Sequence, residues 1–458
     1  MKIDYKNEVL KRKDDILKDL QELIKIPSEL TTFDPNRENM PFGEGPKQAL
    51  DYMLGLGIRD GFITNEYDGY AGDIQYGDQA EFIAMLGHLD VVPAGNDWIN
   101  PPYEGVIIDD VMYGRGTEDD KGPTIAAYYA LKILKDLKIP LSKRIKLILG
   151  TDEESGSRCI QYYLTKDSEV PVAGFVPDAD FPLIYAEKGI ANIIIEGDIK
   201  DRKIYQIKSG FRPNMVPDFA NLIMQNDYLE EAYSFESEDF EYSYNDVPNF
   251  MQTNFKFVGK SAHGSTPELG KNAVFEMVQF LKHARVKNQL VELLDDLFVD
   301  DTRGVKLGIN HHDKEMGDLI VNLGVLELID NHYKIVLNLR LPKGVNFLVV
   351  KNKIAAKIEK YKAYISDATI SELLYVDPNS ELVTTLMDVY RRQTGDLKAK
   401  PVTIGGGTFA RTMPNLVAFG PHFPGKVSKI HQPDEFIEIE DLLNATAIYL
   451  EALYELAK

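Results

Sequence analysis

The residue types that can do hydrolytic chemistry fall in five short stretches. "IAMLGHLDVVPAG", residues 83–95, places His88 two residues before Asp90, where an apolar run stops. A histidine so placed can ligate a metal through one ring nitrogen while a neighbouring carboxylate accepts the other ring N–H and fixes the tautomer. "GRGTEDDKG" supplies Asp119 and Asp120. A carboxylate there could bridge two divalent ions, because its two oxygens point different ways. "GTDEESG" supplies Glu153 and Glu154, a pair in which one can ligate while the other serves a water as general base. "VPDAD" adds Asp178 and "HQPDEF" adds His431. Taken one at a time, each also fits an ordinary loop: a loop histidine, a surface turn before a helix, a solvated pair of glutamates.

The elements around these residues give them a common address. Residues 82–86, 145–149 and 172–176 read as short buried strands, and His88, Glu154 and Asp178 each follow one; Asp119 follows a strand-like segment. A helix with Ala126, Ala130, Ile133 and Leu137 on one face lies between the first two. Strand, helix, strand in this order predicts an α/β fold with a mixed, largely parallel sheet and helices on both faces. In such sheets, ligands bind beyond the carboxyl ends of the strands. Leu10, Leu17, Leu20 and Ile24 predict one opening helix that ends near Pro27. Leu443, Ala447, Leu450 and Tyr454 predict a closing one. Between about Lys188 and Leu374 the style changes to strands and polar loops, including the acidic, aromatic "SFESEDFEYSYNDVPNF" and a strand ending at Arg340. One α/β domain, split by an inserted second domain, accounts for this.

Composition narrows the function. The 458 residues are 44% hydrophobic, enough for a real core, and carry 51 basic against 72 acidic side chains, a net charge of −21. That field repels phosphate backbones, so nucleic acid is not expected as a partner. One cysteine, Cys159, permits no intrachain disulfide. The charged N-terminal stretch does not read as a signal peptide, and no apolar run is long enough for a membrane span, so a cytoplasmic protein without a membrane partner is expected.

The ordered set "GHLDVVP", "GRGTEDDKG", "GTDEESG", "VPDAD" and "HQPDE" resembles the motifs of the M20-type co-catalytic metallopeptidases. Through "YGRGTEDDKGP", "FRPNMVPD" and "TIGGGTFAR" it is most similar to their PepV-like bacterial dipeptidases. The resemblance implies two divalent metal ions per chain, zinc first, with manganese and cobalt also compatible. It implies that His88 and Asp178 hold one ion, Glu154 and His431 the other, and Asp119 both, with Asp120 not a ligand. Glu153 would be the general base and Asp90 the partner that orients His88. It implies a catalytic domain of residues 1–187 and 374–458 and an inserted α+β lid domain of residues 188–373. In the lid, His263 of "GKSAHGSTPELGKN" would face the scissile carbonyl oxygen, and Asn214 and Arg340 would hold substrate; in the catalytic domain, Gly405, Gly406 and Gly407 would be backbone donors near the substrate carboxylate. His283, His311, His312, His332 and His422 are expected to have no part in the site. The implied activity is hydrolysis of dipeptides or short peptides by a monomer. An N-acyl-amino-acid deacylase or desuccinylase would use the same groups, and a non-catalytic peptide-binding protein would need no Glu153.

Overall fold

The computed structural model describes residues 3–201, 203–225, 228–235, 237, 239–247 and 250–458, so positions 236, 238, 248 and 249 of the acidic, aromatic stretch lie outside it. The chain divides into two compact units: Met1–Ala186, Leu374–Thr403 and Thr408–Lys458 form the first, Glu187–Leu373 with Ile404–Gly407 the second.

The first unit is built on a nine-stranded mixed sheet. Phe82–His88 is buried along its whole length, as a strand covered on both faces must be. It runs parallel to Arg144–Gly150 on one side and to Ala173–Val176 on the other. Leu416–Ala418 continues the parallel run. Antiparallel pairings flank it, through Ala71–Tyr76 and Ile63–Tyr67 at one side and Ile184–Glu187 at the other. Glycines show which face each helix covers. A Cβ on Gly87 would lie 2.2 Å from Thr124 Oγ1, in the helix Lys121–Asp136. One on Gly150 would lie 3.0 Å from Cys159 Sγ, in the helix Arg158–Lys166. Gly150 stands opposite His88, the residue after Gly87, and neighbours along a strand point to opposite faces. Helices therefore cover both faces, as the sequence predicts.

Two expectations change. The opening helix is two, Tyr5–Leu10 and Lys13–Ile24, because the chain leaves helical geometry at Arg12. That break shifts the phase of the apolar stripe: Ile16, Leu20, Leu23 and Ile24 are buried, while Leu10 is 57% exposed. The strand Phe82–His88 also runs two residues beyond its expected end, so His88 is the last residue of a strand rather than part of a loop.

The second unit is an eight-stranded sheet in the order Phe240–Val247, Phe250–Val258, Phe219–Gln225, Ile204–Ser209, Ile320–Ile329, His332–Leu341, Gly189–Asp198 and Tyr364–Ser371. Its described pairings are antiparallel. Helices Ala273–His283, Gln289–Leu297 and Phe347–Ile358 are each opened by an asparagine, Asn272, Asn288 and Asn346, whose side chain accepts a first-turn N–H. Ile193, Leu222, Phe257, Phe280, Leu294 and Ile354 belong to one buried core. Among the described residues, no helix is long and apolar enough to cross a membrane.

The Gly87 contact yields a stability test. Gly87→Ala forces a methyl against Thr124 and lowers the free energy of unfolding by about 1–3 kcal/mol. Gly55→Ala, in the helix Glu44–Arg59 with nothing within 4 Å of the new carbon, raises it by about 0.4–1 kcal/mol. Urea unfolding of the two variants against the parent measures both.

Candidate active site

Parallel neighbours end on one side of a sheet, and three of the predicted residues arrive there directly. His88 closes its strand, Glu154 follows Arg144–Gly150 by four residues, and Asp178 follows Ala173–Val176 by two. Asp119 comes from the loop before Lys121–Asp136, and His431 from the loop before the strand Phe436–Glu438. All five lie in the first unit.

Asp119 is at the centre of the cluster. Its Oδ1 is 3.0 Å from His88 Nε2, and its Oδ2 is 3.0 Å from His431 Nε2. Asp178 Oδ2 lies 3.6 Å from His88 Nε2, and Glu154 Oε1 lies 3.1 Å from His431 Nε2. The donors thus sort into two sets, His88 with Asp178 and His431 with Glu154, that share the two oxygens of one carboxylate. Ligand atoms of His88, Asp119 and Glu154 lie within 4.8 Å of one another, a group that can hold a metal ion.

Burial and mutual repulsion shape the charges. Burial and the negative charge of Asp119 push Asp178 up to about 7. Burial raises Glu153 well above the usual carboxylate range, and Asp178, Glu154 and Asp119 push the same way. Glu154 is raised by burial and by Asp119. Burial would lift Asp119 too, but hydrogen bonds from His431 and His88 outweigh it and hold Asp119 low. His431 is raised to about 10 by Asp119 and Glu154. Burial pulls His88 down, yet its bonds to Asp119 and Asp90 prevail and raise it. Carboxylates gathered this way, with imidazole as the nitrogen donor, fit a divalent cation, which neutralises them and is ligated by both types.

Asp90 contacts His88 most closely through its backbone oxygen rather than its carboxylate. The backbone carbonyl of Asp90 is 2.9 Å from His88 Nδ1, while its carboxylate is 3.5 Å away. The carboxylate accepts the N–H of Glu153 at 3.0 Å and of Glu154 at 3.1 Å. Asp90 therefore fixes the imidazole through its main chain and the glutamate pair through its side chain. Asp120 accepts the His88 N–H at 3.0 Å and the Thr124 hydroxyl at 3.0 Å, on the strand side of the cluster.

The sequence reading missed Glu435. Fully buried, it accepts the N–H groups of Gly116 and Glu118 at 3.0 Å and of Asp119 at 3.1 Å through one oxygen. Its other oxygen is 2.5 Å from the buried Arg115 guanidinium. It fixes the loop that carries Asp119. Its only signal was its place four residues after His431, at the end of "HQPDE".

The remaining candidates belong to the second unit. Asn214 and His263 are joined by the Gly264 N–H donating to the Asn214 carbonyl at 2.7 Å and by a bridge between Met215 and His263. His263 Nδ1 is 2.6 Å from Ser265 Oγ, and a Cβ on Gly405 would lie 2.9 Å from Ser265 Cβ. Arg340 donates to the Gly405 carbonyl at 3.0 Å and to Asn338 Oδ1 at 2.9 Å. The unit thereby gathers Asn214, His263, Arg340 and Gly405, with Gly406 and Gly407 following in the chain. His283, His311, His312 and His332 contact Ser234, the Lys343 carbonyl, Asp318 and Asp198 respectively.

Comparison with known proteins matches this arrangement to a family. The model for peptidase family M20/M25/M40 matches residues 84–455, which span all five clustered ligand candidates. The chain belongs to this family. The M20 peptidases are hydrolases, and this chain is a peptidase. It is 39% identical over 479 residues to "Putative dipeptidase YtjP" of Bacillus subtilis (strain 168), covering 100% of both chains. It is 37% identical to "Putative dipeptidase" of Staphylococcus epidermidis, covering 99% of both. Among solved structures, the M20 family metallo-carboxypeptidase Sso-CP2 from Sulfolobus solfataricus has the same fold, at a TM-score of 0.60 and 17% identity over 97% of this chain and 100% of that one. Human carnosine dipeptidase 1 shares the fold at a TM-score of 0.58 and 14% identity, over 98% of each chain.

The raised carboxyl of Asp178 sets a pH dependence. Its folded value of about 7 exceeds its ordinary 3.8, so between these limits the folded chain holds more protons than the unfolded one. Stability contributed by this group is lost as pH rises through that window. With chelator present, the thermal midpoint falls between about pH 5 and about pH 8, and Asp178→Asn makes the fall shallower. Added divalent cation raises the midpoint more at the higher pH, because protons no longer compete for the site.

Proposed function

We propose that this peptidase is a metal-dependent dipeptidase with two divalent cations. The observation that supports this most is the division of Asp119, each of whose oxygens meets a different imidazole at 3.0 Å. His88 and Asp178 would hold one cation, His431 and Glu154 the other, and Asp119 would serve both. Zinc suits this donor set first, and manganese or cobalt also fit it. When bound, such ions supply Lewis acidity that lowers the pKa of a water and polarises a peptide carbonyl.

The chain's own groups do the rest. Glu153 is the general base: its carboxylate takes the proton of the attacking water and returns it to the leaving amine nitrogen. The carboxylate of Asp90, bonded to the Glu153 N–H, keeps this base in register with the ligands. His263 donates to the carbonyl oxygen as negative charge develops there. Burial and the nearby Arg340 lower the His263 pKa, which favours the neutral ring, still a donor through one nitrogen. Arg340, Asn214 and the glycines Gly405, Gly406 and Gly407, all in the second unit, hold the substrate carboxylate. The two relatives carry the name "Putative dipeptidase", which favours free dipeptides over N-acyl-amino acids as substrates.

A substrate panel with variants tests this reading. Free dipeptides are hydrolysed by the metal-loaded chain, Glu153→Gln lowers kcat about 10²–10⁴-fold, and His263→Ala lowers it about 10²–10³-fold. Turnover of acetyl-amino acids alone, or a Glu153→Gln variant with parental kcat, refutes it.

A further inference from the structure

Of the five clustered groups, His431 is the least supported by regular structure. Its side chain is 49% exposed, against 0% for His88, 10% for Asp119 and Glu154, and 17% for Asp178. It stands at φ +64°, in the loop between Pro421–His422 and Phe436–Glu438. Something must hold that loop if His431 is to stay in range of Asp119.

Glu118 reaches the loop from the other side. Its N–H is held by Glu435, but its side chain, only 7% exposed, points elsewhere. Oε1 is 2.9 Å from His422 Nδ1, and Oε2 accepts the Lys429 N–H at 3.3 Å. Lys429 lies two residues before His431, and its carbonyl accepts the Gln432 N–H at 2.9 Å, closing the turn that presents the imidazole. His422 is tied in a third direction. Its two-residue strand runs parallel to Ala179–Asp180, immediately after Asp178. The Ala179 N–H donates to the Gly420 carbonyl and the Phe181 N–H to the His422 carbonyl, both at 2.8 Å. The pair of side chains therefore connects the segments that carry Asp119 and His431, while the main chain of His422 pairs with the segment that follows Asp178.

We propose that Glu118 and His422 are a positioning pair that holds His431 within reach of Asp119 and Glu154. Neither touches substrate or reacting atoms. Their work is to fix the loop, and it rests on the two-cation reading above. His88 is held by its strand, and the segment after Asp178 by main-chain bonds that the two side chains do not make, so loss of the pair falls on one cation only. Removing a direct partner of a metal ligand weakens a metal about 10–100-fold, and Glu118 acts on His431 in the same sense through the Lys429 turn.

Cobalt(II) titrated into the chelator-stripped full-length chain tests this, read by visible absorption and by calorimetry. The parent takes up two equivalents. Glu118→Ala and His422→Leu keep one at parental affinity and bind the other at least about tenfold more weakly. His422→Asn, whose amide N–H can replace the ring N–H, restores much of the loss. At limiting metal, kcat falls in Glu118→Ala while KM stays near the parental value. Two equivalents at parental affinity in both folded variants, or equal loss of both, overturns the proposal. If Glu118→Ala does not fold, His422→Leu carries the same comparison. A parent that takes up fewer than two equivalents refutes the two-cation reading itself, and the positioning role with it.

Discussion

Carboxylates repel one another, and they do so most strongly where water is excluded. Asp119, Glu153, Glu154 and Asp178 nevertheless meet in one cluster with the imidazoles of His88 and His431. Their raised pKa values, Asp119 excepted, record the electrostatic cost of this gathering. Left to side-chain preference alone, the groups would splay apart. The fold must hold them from outside the cluster, and most of its local features on this side of the sheet serve that end.

Two further carboxylates do much of the holding, and both act on backbone. Asp90 accepts the amides of Glu153 and Glu154, and Glu435 accepts those of Gly116, Glu118 and Asp119. Asp90 gives both carboxylate oxygens to main-chain N–H groups, and Glu435 gives one to main-chain N–H groups and the other to Arg115, a satisfied arrangement that tolerates burial. Each therefore fixes where a ligand-bearing loop begins without adding a competing ligand. The parallel strands supply the rest of the framework, because Phe82–His88, Arg144–Gly150 and Ala173–Val176 end on the same side. The clustered groups sit where these three parallel strands end.

Much of this was legible in the sequence because it is written locally. Apolar runs such as residues 82–86 and 145–149 mark strands, and acidic and imidazole residues directly after them mark the rim of a sheet. The change of style near Lys188 marks the inserted segment. What the sequence could not give depends on contacts between distant residues. Nothing near Asp90 announces that its carboxylate will serve the amides of Glu153 and Glu154, since that contact exists only once two parallel strands align. Glu435 is invisible for the same reason: its partners are more than 300 residues away. The split of the opening helix at Arg12 was missed because Leu10, Leu17, Leu20 and Ile24 keep a plausible spacing across the break. Spacing alone does not register a local departure from helical geometry.

The central claim is geometric, that Asp119 lies between two cations. Anomalous diffraction from crystals soaked in manganese tests it most directly. The account predicts two peaks about 3.5–4 Å apart, one beside His88 and Asp178, the other beside His431 and Glu154, with an oxygen of Asp119 on each. A single peak, or peaks remote from Asp119, would contradict it.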